Sequence, residues 1–288
     1  MPTRPFRRRR SVLYVPAVND KALAKLSSLD CDAVIFDLED AVAPDAKAQA
    51  RANLIEHFRG AAPARGQERV IRVNQAAGAI EREDLAAVAA CRPEAMLVPK
   101  VETHSMLHEA RAALGEGRGG IRLWAMIETP SGIVRLRDIV ECGAREDVGL
   151  DCLVVGTNDI SKETGVPMPA GRKTMDIWLA TIVIHGRAAG LDVLDGVYND
   201  FRDEAGFAAE CAASVLAGFD GKTLIHPAQI APANLAFSPS PQAVAEARAI
   251  VAAFDDPANA GKGVISIDGR MTELLHAEMA RRVLAKAG

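Results

Sequence analysis

Seven short groups of residues in this 288-residue chain carry side chains that could do chemistry, and each follows a short apolar run. Asp37, Glu39 and Asp40 follow residues 33–36, and Arg72 and Asn74 close the run 70–73. Lys100 and Glu102 follow 95–98, and Glu128 follows 122–125. Asn158 and Asp159 follow 152–155, Asp195 follows 192–194, and His226 follows 223–225. Carboxylates brought to one place repel one another and resist ionisation unless a cation joins them. Arg72 and Lys100 offset part of that charge. Glu128 and Asp159 are oxygen donors with no thiol or paired imidazole beside them, which suits a hard divalent ion such as Mg²⁺, with Mn²⁺ as the alternative. Mg²⁺ needs only one or two protein carboxylates and completes its shell with water and substrate oxygens.

These residues work together only if the chain brings the ends of the runs to one place. The runs at 12–15, 33–36, 70–73, 95–98, 122–125, 152–155, 192–194 and 223–225 read as strands. Helical patterns near 20–28, 46–58, 83–90, 103–114, 131–140, 172–189 and 203–217 separate them. Such alternation predicts a parallel sheet with crossover helices. Eight units predict an α/β fold, a closed (β/α)8 TIM barrel over residues 1–235; a doubly wound open sheet is the alternative. In such a barrel the catalytic groups project from the C-terminal strand ends, where the ionisable residues above fall. Pro232, Pro239 and Pro241 predict a linker over 232–241. Beyond it, 236–288 reads as a small C-terminal helical lid: a helix at 242–254, an apolar segment at 264–267 and a helix at 272–286. A unit of that size buries little core alone and must pack on the barrel or on another subunit.

Composition narrows the function. Apolar residues make up 49% of the chain, enough for a large core, and no stretch approaches the ~18 apolar residues of a membrane span. A net charge of -4 and 4% aromatic residues argue against a nucleic-acid partner. Cys31, Cys91, Cys142, Cys152 and Cys211 form no C-x-x-C pair and read as reduced thiols of a cytoplasmic protein. The arginines at positions 4 and 7–10 precede no long apolar region; they read as a solvated arm, with a short organellar presequence as the alternative.

Several motifs fail on context. Gly115, Gly117 and Gly120 match the spacing of a dinucleotide fingerprint but follow a helix and precede a strand, the reverse of what that site requires. Gly218 to Thr223 is too short for a phosphate loop and reads as a turn. His104 and His108 lie one helical turn apart without a third ligand. Ser131 sits in no nucleophile elbow. His226 is open to a structural or a substrate-facing role.

The sequence also resembles a known family. The segments Arg10-Ser-Val-Leu-Tyr-Val-Pro16, Asp37-Leu-Glu-Asp-Ala-Val-Ala-Pro44, Arg72-Val-Asn74, Val98-Pro-Lys-Val-Glu102 and Met126-Ile-Glu-Thr-Pro130 are similar to those of the citrate lyase beta subunit and its relatives. Gly156-Thr-Asn-Asp159, Gly221-Lys-Thr-Leu-Ile-His-Pro227 and Asp268-Gly-Arg-Met271 complete the series, in order over nearly the whole chain. The group is the CoA ester lyases of the HpcH/HpaI aldolase superfamily. The resemblance implies a barrel with a C-terminal lid, assembled as a homotrimer or hexamer. It implies Mg²⁺ on Glu128 and Asp159, with Glu128 also touching substrate, and Arg72 holding the substrate carboxylate and oxyanion. Glu39 and Asp40 would form an acidic outer shell, and Tyr14 and Lys21 would lie near the CoA arm. The chain departs from the pattern at Ala17, where the family has Gly. It departs again at Glu273, which stands where the lid carries a catalytic aspartate.

The combined expectation is a Mg²⁺-dependent carbon–carbon lyase. Its substrate would be a 3-hydroxyacyl-CoA thioester of the citryl-, malyl- or methylmalyl-CoA type, and its products a 2-oxo acid and an acyl-CoA. The alternatives are a malyl-CoA thioesterase, a CoA-independent pyruvate aldolase and a non-catalytic subunit of a lyase complex.

Overall fold

Side chains alternate between the two faces of a strand, and seven of the eight barrel strands of this chain turn apolar residues to one interior cluster. The computed structural model describes residues 6–60, 66–76, 78–115, 120–168 and 172–287. Its main strands are β1 (Ser11–Pro16), β2 (Ala33–Asp37), β3 (Glu68–Arg72), β6 (Ala95–Val98), β7 (Arg122–Ile127), β8 (Leu150–Val155), β9 (Asp192–Asp195) and β10 (Gly221–Leu224). They are parallel and close in the order β1-β2-β3-β6-β7-β8-β9-β10, with β10 pairing back onto β1. The expected (β/α)8 barrel is therefore the fold. Several strands extend beyond the bounds read from sequence, and at two ends the reading overshoots: Val73 and Ile225 lie just outside β3 and β10. Two short strands, β4 (Gln75–Ala76) and β5 (Ala79–Ile80), pair as a hairpin directly after β3.

Inside the barrel, Val12, Ala33, Ile35, Val70, Ala95, Leu97, Trp124, Met126, Cys152, Val154 and Leu194 form one buried cluster, with Tyr14 packed on it. Burying a large apolar side chain of this kind contributes roughly 1.5–3 kcal/mol. The inward parity sets the chemistry above that cluster. Asp37 continues the row Ala33, Ile35; Arg72 follows Val70; and Glu128 follows Trp124 and Met126. The same parity turns Asp195, the neighbour of inward Leu194, to the outside.

The crossover helices are α1 (Asp20–Leu23), α2 (Lys47–Gly60), α3 (Arg82–Cys91), α4 (His104–Leu114), α5 (Pro130–Val134), α6 (Leu136–Gly143), α7 (Thr157–Thr164), α8 (Arg172–Ala188) and α9 (Glu204–Ala217). Two findings here go beyond the sequence reading. The single helix expected at 131–140 breaks at Arg135 into α5 and α6, and α7 was not anticipated. The linker expected at 232–241 is a correction, because 230–237 form a helix, α10 (Ile230–Phe237). Pro232 sits in its first turn, where a missing N–H breaks no helical hydrogen bond.

The solvated N-terminal arm is also corrected in part. Arg9 is only 3% exposed. Its guanidinium bonds Glu68 at 2.8 and 2.9 Å, Asp151 at 2.6 Å and Asp192 at 2.5 Å, and lies over the Trp124 ring. Arg10 pairs with Asp32. All five cysteines are unpaired, four of them buried and Cys142 half-buried. Among the described residues no helix is long and apolar enough to cross a membrane.

Two compact units are present: Arg9–Asn234, and a second made by residues 235–287 with residues 6–8. The second contains the rest of α10, α11 (Pro241–Asp255), β11 (Val264–Ile267), β12 (Arg270–Glu273) and α12 (Leu274–Ala287). The helix expected from 272 starts at Leu274, because residues 270–273 pair with β11 as a hairpin.

Candidate active site

At the C-terminal end of the barrel lies a cleft of about 320 Å³, with Tyr14, Asp37, Asp40, Arg72, Met126, Gly156, Thr157, Asn158, Asp159 and Thr223 among its lining residues. The β2 end organises its acidic side. Asp37 accepts the backbone N–H groups of Glu39 (2.9 Å) and Ala41 (3.1 Å), which folds the chain back and presents Glu39 and Asp40. Asp37 also takes both Arg72 Nε (2.7 Å) and Nη2 (2.6 Å). The remaining nitrogen, Nη1, lies 2.9 Å from Glu39 Oε2, 3.6 Å from Asp40 and 3.8 Å from Met126 Sδ. Asp37 thus occupies the Nε/Nη2 edge of Arg72, and what remains for a ligand is the side around Nη1.

Glu128 lies beneath this group with no exposed surface. Its Oε1 accepts the Lys100 N–H at 2.7 Å, while Oε2 is buried with no hydrogen-bond partner. Gly156 makes room for it: a Cβ at that position would stand 2.5 Å from Oε2. The Glu128 carboxyl is pushed up to about 8. Burial is the largest cause; the Glu39 and Asp159 carboxylates add to it, and the Lys100 amide and charge oppose it. Glu39 is also raised, by burial first, against the pull of Arg72 and Lys100. Lys100 Nζ holds Glu39 Oε1 at 2.6 Å. Asp159, in the first turn of α7, lines the cleft, and Asp40 stands at its edge 56% exposed on the side chain.

A buried, unpartnered carboxylate oxygen beside a second carboxylate fits a bound cation, because a positive charge there would relieve both burial and repulsion. Among the described residues no three His, Cys, Asp or Glu side chains group as a metal cage. Two protein carboxylates suit Mg²⁺, which keeps water and substrate oxygens in its shell.

Tyr14 lies inside the mouth. Arg72 stacks 5.0 Å above its ring, and its hydroxyl meets Met126 Sδ at 3.8 Å. Burial pushes the phenol well above its ordinary value while Arg72 pulls the other way. Lys21 is exposed on α1 and is not among the residues lining the cleft. Glu273 belongs to the second unit, where it ends β12 and its N–H donates to His276 Nδ1.

Two strand-end residues, Asp195 and Asn74, are corrected, and His226, left open by the sequence, is not among the residues lining the cleft. Asp195 is fully buried on the outer face, held by Lys222 Nζ (2.8 Å), Arg172 Nη2 (2.7 Å) and Ser214 Oγ (2.5 Å). Asn74 donates to Asp84 of α3 and to the Leu38 carbonyl, so it ties the strand end to the helix layer. His226 accepts the Ala228 N–H and stacks on Phe201 with centroids 4.4 Å apart. Asp37, a strand-end carboxylate to which the sequence gives no role of its own, is the group that holds Arg72, and the inward parity of β2 is the signal that marks it. Of the two discounted glycine and histidine motifs, Gly117 lies outside the described residues, and His104 and His108 are exposed on α4.

The family model for HpcH/HpaI aldolase/citrate lyase matches residues 10–227, which span all eight strands and every cleft residue. The chain belongs to this family. Among family relatives, it is 44% identical over 283 residues, covering 98% of this chain and 95% of the other, to the (3S)-malyl-CoA thioesterase of Cereibacter sphaeroides strain KD131. It is 31% identical over 293 residues to the human mitochondrial citramalyl-CoA lyase, covering 97% of this chain and 85% of that one. The fold matches a crystal structure of CitE from Mycobacterium tuberculosis in complex with magnesium, acetoacetate and coenzyme A. The TM-score is 0.75 at 27% identity, covering 96% of this chain and 97% of that one.

Proposed function

We propose that this family member is a Mg²⁺-dependent carbon–carbon lyase acting on a 3-hydroxyacyl-CoA thioester of the citryl-, malyl- or methylmalyl-CoA type. The observation that carries the reading is the unpartnered Glu128 Oε2 beneath a cleft lined by Asp159 and Arg72. Glu128 and Asp159 would hold the ion, Mg²⁺ or Mn²⁺, which when bound supplies Lewis-acid polarisation of the substrate oxygen.

The chain's own groups do the rest. With Asp159 given to the ion, Asp40, mostly exposed at the mouth and paired with Arg72 only at 3.6 Å, is the carboxylate to which we assign the proton of the substrate hydroxyl. The bond between the carbinol carbon and the α-carbon breaks, its electron pair moving into the thioester as an enolate. Arg72 faces the developing charge with Nη1, a fixed donor held in place by Asp37. Glu39, pinned between Arg72 and Lys100, keeps that arrangement. Protonation of the enolate carbon gives the acyl-CoA beside the 2-oxo acid. We assign that proton to Glu273 from a second copy of the chain in a homotrimer or hexamer. We assign Tyr14 to the substrate pocket and Lys21, which does not line the cleft, to the CoA arm.

A second reading is hydrolysis of the thioester, which the 44% identity to (3S)-malyl-CoA thioesterase favours. Product analysis separates the two. Malyl-CoA cleaved between carbons yields a 2-oxo acid and no free thiol; hydrolysis yields malate and free CoA thiol. Citryl- and methylmalyl-CoA serve as further substrates. Free oxo acids test the CoA-independent aldolase, and no turnover of any of them would leave the non-catalytic subunit.

A further inference from the structure

Three non-glycine residues among those described have left-handed backbones: Arg92, Lys100 and Asp268. Two have local reasons. Arg92 is the C-cap of α3, and Asp268 starts the turn of the β11–β12 hairpin. Lys100, with φ 47°, ends no helix and closes no hairpin; it follows Pro99 at the end of β6. A left-handed conformation strains a side-chain-bearing residue, a cost glycine avoids. Strain of this kind persists where surrounding contacts hold it, and it clusters at functional sites.

The contacts at Lys100 show what the conformation achieves. The turned backbone aims its N–H at Glu128 Oε1, 2.7 Å away. The side chain then reaches across to Glu39 Oε1 at 2.6 Å. One residue thus engages two acidic groups of the site with two different parts of itself, and glycine could supply only the first. We infer that Lys100 is a positioning residue that sets the cation affinity of the Glu128–Asp159 pair. Its amide fixes one Glu128 oxygen and leaves Oε2 for the ion. Its ammonium keeps Glu39 on Lys100 and Arg72, out of the ion's shell, and adds a positive charge that holds the affinity down. This inference rests on the proposed Mg²⁺ site.

The test is titration of the whole protein with Mg²⁺ alone, followed by calorimetry, in wild type and three variants. Lys100→Gly keeps the left-handed turn and the amide bond to Glu128 but loses the ammonium. Lys100→Gln keeps the side-chain length without the charge, and serves if the glycine variant does not fold. Lys100→Arg keeps the charge. As a general scale, a unit charge ~6 Å from a divalent ion in the dielectric of water changes the ion's affinity by about tenfold. Lys100→Gly and Lys100→Gln are therefore expected to bind Mg²⁺ about tenfold more tightly than wild type, and Lys100→Arg within about twofold of it. Turnover should move the other way, with kcat falling in both uncharged variants while the ion binds better. A merely structural lysine would not raise affinity. Unchanged or weaker Mg²⁺ binding in folded Lys100→Gly or Lys100→Gln overturns the inference alone. Absence of saturable binding in wild type overturns the metal site as well.

Discussion

Arg72 grips Asp37 along one edge of its guanidinium, Nε on one carboxylate oxygen and Nη2 on the other, at 2.7 and 2.6 Å. The pair is buried, and Arg72 still reaches Glu39 with its third nitrogen. A lysine ammonium is a point charge and cannot hold this planar arrangement. Arg72→Lys is therefore expected to lose nearly as much kcat/KM as Arg72→Ala. Asp37→Asn, which leaves a buried guanidinium half-paired, should lose activity too. A lysine variant retaining more than about a tenth of wild-type activity, equivalent to ~1.4 kcal/mol, would contradict the account.

On the proposed metal site, Glu128 would make ion binding depend on pH. With its carboxyl raised from 4.5 to about 8, the metal-free protein holds this proton at neutral pH, while the unfolded chain has lost it. The native state thus binds more protons than the unfolded state between these values. This group's contribution to stability is greatest below 4.5 and declines until about 8. Mg²⁺ must displace the proton, so binding at pH 7 should release roughly one proton and at pH 9 almost none. Calorimetry in buffers of different ionisation heat measures the number. No buffer dependence at pH 7 would place the ion elsewhere.

On the outer face the sign is opposite. Burial alone would raise Asp195, but Lys222 and Arg172 outweigh it and pull the carboxyl down to about 2. Its contribution, roughly 2 kcal/mol, is present above the ordinary 3.8 and is lost as pH falls through about 2. Asp195→Asn leaves buried Lys222 and half-buried Arg172 to share the single carboxylate of Glu210 and should cost at least about 2 kcal/mol at neutral pH. Urea unfolding from pH 5 to 2 should show the wild type converging on the variant. Parallel curves would remove Asp195 as the cause.

Subunit complementation tests the role given to Glu273. Mixing inactive Glu273→Ala chains with inactive Arg72→Ala chains should restore part of the activity if one copy's lid serves another's barrel. Glu273→Asp should also lose activity, since a carboxylate drawn back by ~1 Å can change a rate ~100-fold. Exchange of subunits without recovery would assign the acid–base step to a group within each barrel.

Strand positions were legible because apolar runs alternate with helical patterns, and all eight barrel strands fall on those runs. Strand-end chemistry was legible only in part. Treating every charged strand end alike mixed inward Glu128 with outward Asp195; counting parity from Met126 and Leu194 separates them. Lys222 reads in sequence as part of the turn over 218–223, because the carboxylates that accompany its burial, Asp195 and Glu210, are 27 and 12 positions away. Arg9 was hidden in the same way, since its three acidic partners come from β3, β8 and β9. The helix α7 escaped because it begins directly after β8, with only Gly156 between them.

The central claim is that Glu128 and Asp159 carry the ion on which turnover of the thioester depends. The direct measurement is Mg²⁺ titration of wild type, Glu128→Ala and Asp159→Ala, with malyl-CoA turnover followed in Mg²⁺ and in excess EDTA. The account expects one ion per wild-type chain, none in either variant, and no turnover with EDTA. Full turnover in EDTA would contradict it, and retained binding in both inactive variants would show that other residues hold the ion.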